Sequence, residues 1–139
     1  MRITASRVVS ATPEAVFRFL LELDNHWKLT GRWVEAVDIG DGSGRVRIHG
    51  PLGLRRTART TVVDAHPDHL MHGTAELSGG TLAQIAWELS EDANGTAVRL
   101  TAEVEHATLP DRMLLSLGGQ AWMTRRFDAI LARLDDQFG

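Results

Sequence analysis

Arginines are the strongest candidates for polar chemistry in this sequence, and three of them lie in the stretch LRRTART. Strand alternation places Arg56 and Thr60 on one face, which is the inner face if Ala58 is buried. The opposite register brings Arg59 inward instead. An inward arginine can bind a ligand carboxylate or stabilise an enolate, whereas an arginine on a solvated face does neither. The spacing alone leaves both registers open.

Three histidines in the stretch HPDHLMH raise the question of a metal site. Residues three apart on a strand face opposite sides, so His69 and His72 cannot both bind one ion. Most of the stretch, including His66, is predicted to form a turn. The sequence also lacks a glycine-rich phosphate loop, a nucleophile elbow and a serine–histidine–aspartate order. We therefore expect neither a metal nor a cofactor.

The aromatic residues are four tryptophans and four phenylalanines, with no tyrosine. Trp33 and Trp87 share a face with apolar residues in segments of alternating polarity, so each either lines a cavity or fills a core. Trp27 and Trp122 fall at the edges of the pattern. Trp122 is predicted to lie at the rim of a cavity or in the contact between the two chains of a homodimer. The absence of tyrosine hydroxyls counts against catalysis in such a pocket.

The composition is that of an ordinary globular protein, and 139 residues fit one domain over 1–139. Fifteen Lys and Arg against 18 Asp and Glu give a net charge of −3, which offers no electrostatic case for nucleic acid. No apolar run reaches the roughly 18 residues of a membrane span. The N-terminus lacks the apolar stretch of a secretory signal, and the chain has no cysteine, so we expect a cytoplasmic location.

Strand and helix signals follow one another in the first part of the chain. Residues 3–10 are rich in β-branched side chains and predict a strand. Thr12 is suited to cap a helix whose first residue is Pro13. Asp24-Asn25 is then suited to cap a short second helix that carries Trp27.

From Arg32 onward the apolar period changes to two, which predicts six successive antiparallel strands. Trp33, Val37 and Ile39 are assigned to one face of the first of these strands. Short turns are predicted at GDGSG (40–44), GPLG (50–53), HPD and SGG.

The clearest hairpin covers residues 81–107, around the turn Ala93-Asn94-Gly95. Its first strand carries Trp87 on the apolar face, and Gln84 and Glu88 are predicted to point away from that face.

The end of the chain predicts one amphipathic helix of about 28 residues, roughly 40 Å long at 1.5 Å per residue. Asp111 is suited to cap this helix. No other element is long enough to cover its apolar stripe, so the helix is expected to lie across the sheet. The stripe consists of Met113, Leu117, Gln120, Thr124, Phe127, Leu131, Leu134 and Phe138.

The adjacent Gly118 and Gly119 interrupt that helix, where each costs roughly 1 kcal/mol relative to alanine. Two small residues can let the helix pass over a bulky neighbour. They can also form a hinge, if the helix is the lid of a cavity. Both interpretations stand at this point.

This order of elements resembles the helix-grip superfamily of START-related lipid-transfer domains, the major birch-pollen allergen and aromatic polyketide cyclases. The matching stretches are VVSATPEAVFRFLLELDNHW, AWELSEDANGTAVRLTAEV and the closing helix, which together cover nearly the whole chain. The resemblance implies an α+β fold and a small bacterial member of the superfamily. It implies a curved antiparallel sheet of about seven strands around a long C-terminal helix, with two short helices after the first strand.

The resemblance further implies that the chain binds a small hydrophobic or aromatic molecule in a cavity between sheet and helix. By the same resemblance, Trp87 takes the place of a cavity-lining tryptophan of the cyclases. The alternatives are an aromatase/cyclase for a poly-β-ketone chain, in which an Arg or His assists enolisation, and an interaction module with a filled cavity. The candidate ligand-binding residues are Trp33, Arg56, Arg59, Thr60, Trp87, Leu117, Gln120, Thr124 and Phe127.

Overall fold

The computed structural model of the protein describes residues 1–40, 43–50 and 54–138. The centres of the predicted turns GDGSG and GPLG, at residues 41–42 and 51–53, lie outside the described residues. Within the described ranges, a strand and two short helices precede six strands, and helical residues follow the last strand. This is the order of elements that the sequence predicts.

The strands are β1 Arg2–Val9, β2 Val34–Gly40, β3 Ser43–His49, β4 Arg55–His66, β5 Leu70–Leu77, β6 Leu82–Asp92 and β7 Gly95–His106. The helices are α1 Pro13–Leu21, α2 Leu23–Thr30, α3 Leu109–Leu114 and α4 Gln120–Asp136. A short 3₁₀ turn, Gly31–Trp33, joins α2 to β2.

The seven strands of the described residues form one curved antiparallel sheet in the order β1-β7-β6-β5-β4-β3-β2. The predicted α+β helix-grip fold is confirmed. The hairpin of β6 and β7 turns where it was expected, because Asp92 pairs with Gly95 across the turn. The Asp92 carboxylate accepts a hydrogen bond from the Asn94 backbone N–H at 2.9 Å. Trp87 pairs with Leu100 on the buried face of this hairpin.

Strand β4 adopts the first of the two registers that its sequence allows. Ala58 is 1% exposed and pairs with the buried Val46 of β3. Arg56 and Thr60 therefore share the inner, concave face with Ala58, whereas Arg59 is exposed on the outer face.

Strand β2 departs from the predicted alternation. Trp33 ends the 3₁₀ turn and lies outside the strand, and the pairing with β3 is irregular between Ala36 and Asp38. This bulge shifts the faces of the strand, and Val37 is exposed. The assignment of Trp33 and Val37 to one strand face was wrong for this reason.

The first helix begins as predicted and the second does not. The Thr12 hydroxyl accepts a hydrogen bond from the Ala15 N–H at 3.2 Å and caps α1. The residue preceding α2 is Glu22, so the cap predicted at Asp24-Asn25 was wrong. The Asn25 side chain instead donates to the Phe19 carbonyl at 2.8 Å and joins the two helices.

The prediction of a single closing helix of about 28 residues was wrong. The helical path breaks over Leu115–Gly119, where Leu117 (φ −94°, ψ 24°) and Gly118 (φ 111°, ψ −6°) leave the helical conformation. Leu117 is 80% exposed, and Met113 is also exposed, so the first part of the predicted stripe faces away from the sheet. The second part is correct: α4 buries Phe127, Ile130, Leu131 and Leu134.

Asp111 does not cap α3, because the residue before this helix is Thr108. Asp111 is buried and binds the side chains of Arg56 in β4 and of Thr81, the residue before β6, and we call these three residues the Asp111 cluster. The Arg56 guanidinium also reaches the second carboxylate oxygen at 3.1 Å. Burial alone would raise the pKa of Asp111, but hydrogen bonds from Arg56 and Thr81 outweigh it and hold that pKa below its usual value.

We predict that Gly118→Ala lowers the free energy of unfolding by about 1–2 kcal/mol, since its φ of 111° is one that residues with a Cβ rarely adopt. Helix propensity alone predicts the opposite sign. Urea unfolding of both proteins measures the difference.

The control is Ser116→Ala, an exposed position in the same segment, which should change stability by less than about 0.5 kcal/mol. A Gly118→Ala variant more stable than the wild type would mean that this residue becomes helical in solution.

Asp111→Asn should lower the free energy of unfolding at neutral pH by about 1–3 kcal/mol, because it removes the charge that Arg56 contacts. The folded-state pKa of Asp111 lies below its unfolded value. Its contribution is therefore present above about pH 4 and is lost as the pH falls through the folded-state pKa. The difference between variant and wild type should shrink in urea unfolding toward about pH 2.

Asp128→Asn on the exposed face of α4 is the control and should have little effect at any pH. An Asp111→Asn deficit that stays constant from neutral to acid pH would contradict a charge-based role.

Candidate functional site

The concave face of the sheet is not covered evenly. Helix α4 packs along β1 and also contacts β7, where Ile3 and Leu100 are buried. Concave side chains of the middle strands remain partly exposed although they pack against the core. We call this region the trough, and its lining from the sheet is Ile48, Thr60, Val62, Leu77 and Ile85.

The helical side of the trough is also largely apolar. Leu115, Trp122 and Met123 are half-buried and pack against the same core as the trough residues. Trp122 meets Trp33 edge to face, with ring centroids 5.6 Å apart. The Arg126 guanidinium lies 5.0 Å from the centre of the Trp122 ring. Trp122, which the sequence placed at an edge, therefore bridges α4 and the end of the 3₁₀ turn.

Trp87 is buried and packs against a histidine that sequence reasoning did not single out. The rings of Trp87 and His26 meet edge to face at 5.6 Å. His26 Nε2 lies 2.6 Å from the Leu20 carbonyl oxygen, which assigns the ring proton to Nε2. Burial lowers the pKa of His26 more than this carbonyl raises it, so the ring is neutral at neutral pH. The only local signal was its place beside Trp27 in the stretch DNHW.

Two indole N–H groups in or against the core lack acceptors. The Nε1 atoms of Trp27 and Trp33 are buried and have no hydrogen-bond partner among the residues that the structure describes. Trp33 is 8% exposed, and Trp27 is half-buried beside His26. Buried donors are nearly always paired in folded proteins, so each of these groups requires an explanation.

Three of the predicted site residues lie at or behind the trough. Trp33 and Trp87 are buried beside it, and Thr60 lines it directly. The Thr60 hydroxyl also donates to the Gly44 carbonyl at 3.3 Å. Phe127 is fully enclosed in the core that α4 forms with the sheet. That these four residues contact a ligand stays a prediction.

The remaining predicted residues have other surroundings. Arg56 is on the concave face but is held by Asp111 and by the Ser78 carbonyl, at 2.7 Å from Nη2. Gln120 donates to the Arg2 carbonyl at 3.3 Å, and the Thr124 hydroxyl donates to the Gln120 carbonyl at 2.9 Å. As described above, Arg59 and Leu117 are exposed away from the trough.

The outer face of the sheet carries a separate, open groove of about 480 Å³. Gln84 and Glu88 line this groove, as the alternation predicted, together with His72 of β5. No three histidine, aspartate or glutamate side chains come together as a metal site within the described ranges. In the same ranges, no helix has both the length and the apolar character to cross a membrane.

Solved structures with this fold share little sequence with the chain. The protein TTHA0849 from Thermus thermophilus is 19% identical, with a TM-score of 0.69 over 98% of this chain and 95% of its own. A protein from Arthrobacter aurescens is 9% identical, with a TM-score of 0.71 over 96% of this chain and 83% of its own. DynU16, from the dynemicin biosynthetic locus, is 14% identical, with a TM-score of 0.64 over 99% of this chain and 46% of its own. At these identities the likeness shows the fold alone.

No curated protein sequence matches the chain. The sequence pattern of one family matches it over residues 1–139, from the first strand to the last helix. The chain belongs to the polyketide cyclase/dehydrase and lipid transport family.

Proposed function

We propose that the chain binds a small hydrophobic or aromatic molecule in the trough between the concave sheet and the C-terminal helices. The observation that carries the proposal is the partial exposure of Ile48, Val62 and Ile85, which lie on the core side of the sheet. A side chain on that face is normally covered by a neighbour. A bound apolar molecule would remove this surface from water, at about 25 cal/mol for each Å².

The aromatic residues support the same proposal. Trp33 and Trp87 are buried in the core on which the trough residues pack, and Trp122 is half-buried against it; rigid rings of this kind suit the apolar wall of a ligand site. A filled cavity, as in an interaction module, would leave the trough residues buried, and they are not. The proposal includes a cytoplasmic location, as expected from the sequence.

We predict that Val62→Asp weakens binding of the uncharged fluorescent probe N-phenyl-1-naphthylamine by about tenfold or more, because a carboxylate in the trough is poorly solvated. Probe titration followed by fluorescence measures this effect. Val63→Asp is a matched control, since Val63 is the next residue of β4 and is 55% exposed on the outer face.

Circular dichroism and urea unfolding establish that both variants fold. Unchanged affinity in a folded Val62→Asp variant, or an equal loss in both variants, would contradict binding in the trough.

A second candidate function is cyclisation of a poly-β-ketone, and His26 is the observation that favours it. With the proton on Nε2, Nδ1 is the basic atom of a neutral ring beside Trp87. It could take a proton from a methylene between two carbonyls, so that the enolate carbon attacks a carbonyl of the same chain. The protonated ring would return that proton to the new alkoxide, which becomes a hydroxyl. The ring would then take the second proton of the same methylene carbon and deliver it to the hydroxyl, so that a carbon–carbon double bond forms and one water leaves. DynU16 supports this candidate only in that it comes from a biosynthetic locus.

If this second function holds, the protein should convert a short 3,5,7-triketo-thioester, in which attack of the C2 methylene on the C7 ketone closes a six-membered ring, to a cyclised, dehydrated product, and His26→Asn should lower that rate by about 100-fold. Mass spectrometry detects the loss of one water. His69→Asn, in the exposed turn between β4 and β5, is the control and should retain the rate. Equal rates in the His26→Asn variant and the wild type would exclude His26 as the base.

A further inference from the structure

Helix α3 turns its polar side toward the protein and its apolar side toward solvent. Asp111 binds Arg56 and Thr81, and these contacts fix the side of the helix that carries the carboxylate against the sheet. Leu109 and Met113 are four residues apart and share a side of the helix, whereas Asp111 lies about 200° around the axis from each. The contacts of Asp111 therefore leave these two apolar side chains in water.

The exposed apolar surface continues from α3 into the break of the helical path. Leu109 is 69% exposed, Met113 56%, Leu114 42% and Leu117 80%. These four side chains lie within nine consecutive residues, whereas the other large apolar side chains that the described residues expose are scattered along the chain. We call them the α3 patch. Exposed apolar surface that is concentrated in this way marks a site of interaction.

The exposed charges that accompany the α3 patch are positive. Residues 106–127, which lie between two acidic residues, contain Arg112, Arg125 and Arg126 and a single acid, Asp111. Asp111 is buried and paired within the Asp111 cluster, whereas Arg112 and Arg125 are exposed. An apolar patch with positive charges beside it matches the surface of a bilayer that contains anionic lipids.

A second copy of the chain fits the α3 patch less well. In a two-fold dimer the same surface meets itself, which would bring Arg112 of one chain toward Arg112 of the other. The four side chains also offer only a few hundred Å², whereas a stable dimer buries about 800 Å² on each chain. A bilayer imposes neither requirement.

We propose that the α3 patch binds the surface of membranes that contain anionic lipids. The four apolar side chains enter the interfacial region, and the arginines lie at the level of the headgroups. The inference goes beyond ligand binding in the trough and does not depend on it.

Sedimentation with equimolar phosphatidylcholine and phosphatidylglycerol vesicles tests the inference, with vesicles of phosphatidylcholine alone for comparison. The wild-type protein should bind the anionic vesicles at least about tenfold more strongly, because each arginine near the surface adds to the attraction. Added salt should reduce the difference, since it screens exposed charges. No binding to the anionic vesicles, or equal binding to both kinds, would overturn the inference.

Leu109→Gln combined with Leu117→Gln should lower binding to the anionic vesicles by about tenfold or more, because less apolar surface leaves water. Leu21→Gln combined with Leu54→Gln is the matched control, since it replaces two exposed leucines elsewhere and should keep wild-type binding. Circular dichroism establishes that both variants fold. An equal loss in the two variants would contradict binding through the α3 patch.

Arg112→Gln combined with Arg125→Gln should lower binding to the anionic vesicles by about tenfold or more and leave binding to phosphatidylcholine unchanged. Arg45→Gln combined with Arg59→Gln makes the same change in net charge on the outer face of β3 and β4, where the two residues pair, and is the control. If the control loses as much, the attraction comes from overall charge and the inference fails.

A fluorescent label reports on the α3 patch directly, because the chain has no cysteine of its own. Ser116→Cys labelled with the dye NBD should brighten and shift to shorter wavelength on anionic vesicles, as the dye leaves water. Val63→Cys, on the outer face of β4, is the labelled control and should not change. Unchanged emission at position 116 while the protein sediments with the vesicles would show that another surface binds them.

Size-exclusion chromatography without vesicles examines the second copy as the occupant. The wild-type protein and the variant with Leu109→Gln and Leu117→Gln should elute alike. A wild-type dimer that this variant dissociates would assign the α3 patch to self-association and overturn the inference.

Discussion

The width of the sheet relative to one helix is the constraint on which the rest of the structure depends. Seven strands at about 4.8 Å spacing span roughly 29 Å, whereas a helix with its side chains is about 10 Å across. Helix α4 can therefore bury the concave face along only part of that width, and it does so along β1. Helices α1 and α2 cover further parts of the face. The apolar side chains of the middle strands remain accessible as a direct result of this geometry.

A second constraint acts on the polar groups of the concave face: a charge that is removed from water has to be paired with an opposite charge or with hydrogen-bonding groups. Arg56 satisfies this constraint inside the protein, through Asp111 and a backbone carbonyl. That arrangement joins α3, which has only six residues, to strand β4 and to Thr81 before β6. A helix of this length is not stable by itself, so its position depends on these contacts. The same arginine cannot also serve as a free anchor for an anion.

Much of the fold could be predicted because it depends on local periodicity. The alternation in β4, β6 and β7 and the Asn-Gly turn are properties of neighbouring residues, and they gave the correct strands and the inward placement of Trp87. The wrong predictions concern residues whose conformation depends on a contact distant in sequence or on an unusual backbone angle. Asp111 is of a residue type that commonly caps helices, but in the structure it binds Arg56, which lies 55 residues away in the sequence. Leu117 fits a helical stripe, but Gly118 adopts a positive φ. His26 was missed because its burial against Trp87 depends on the tertiary fold.

The pairing of β1 with β7 determines when the protein can complete its structure during synthesis. Arg2 pairs with Glu103, and Val9 pairs with Thr96, so the first strand has no neighbour in the sheet until residues 96–103 have been made. Contacts of such high sequence separation slow folding. Until then Ile3, Ala5 and Val9 are unburied in the nascent chain, next to an unpaired strand edge. The N-terminal strand therefore waits longer for its pairing partner than any other described strand, and a chain still on the ribosome exposes it to aggregation during that time.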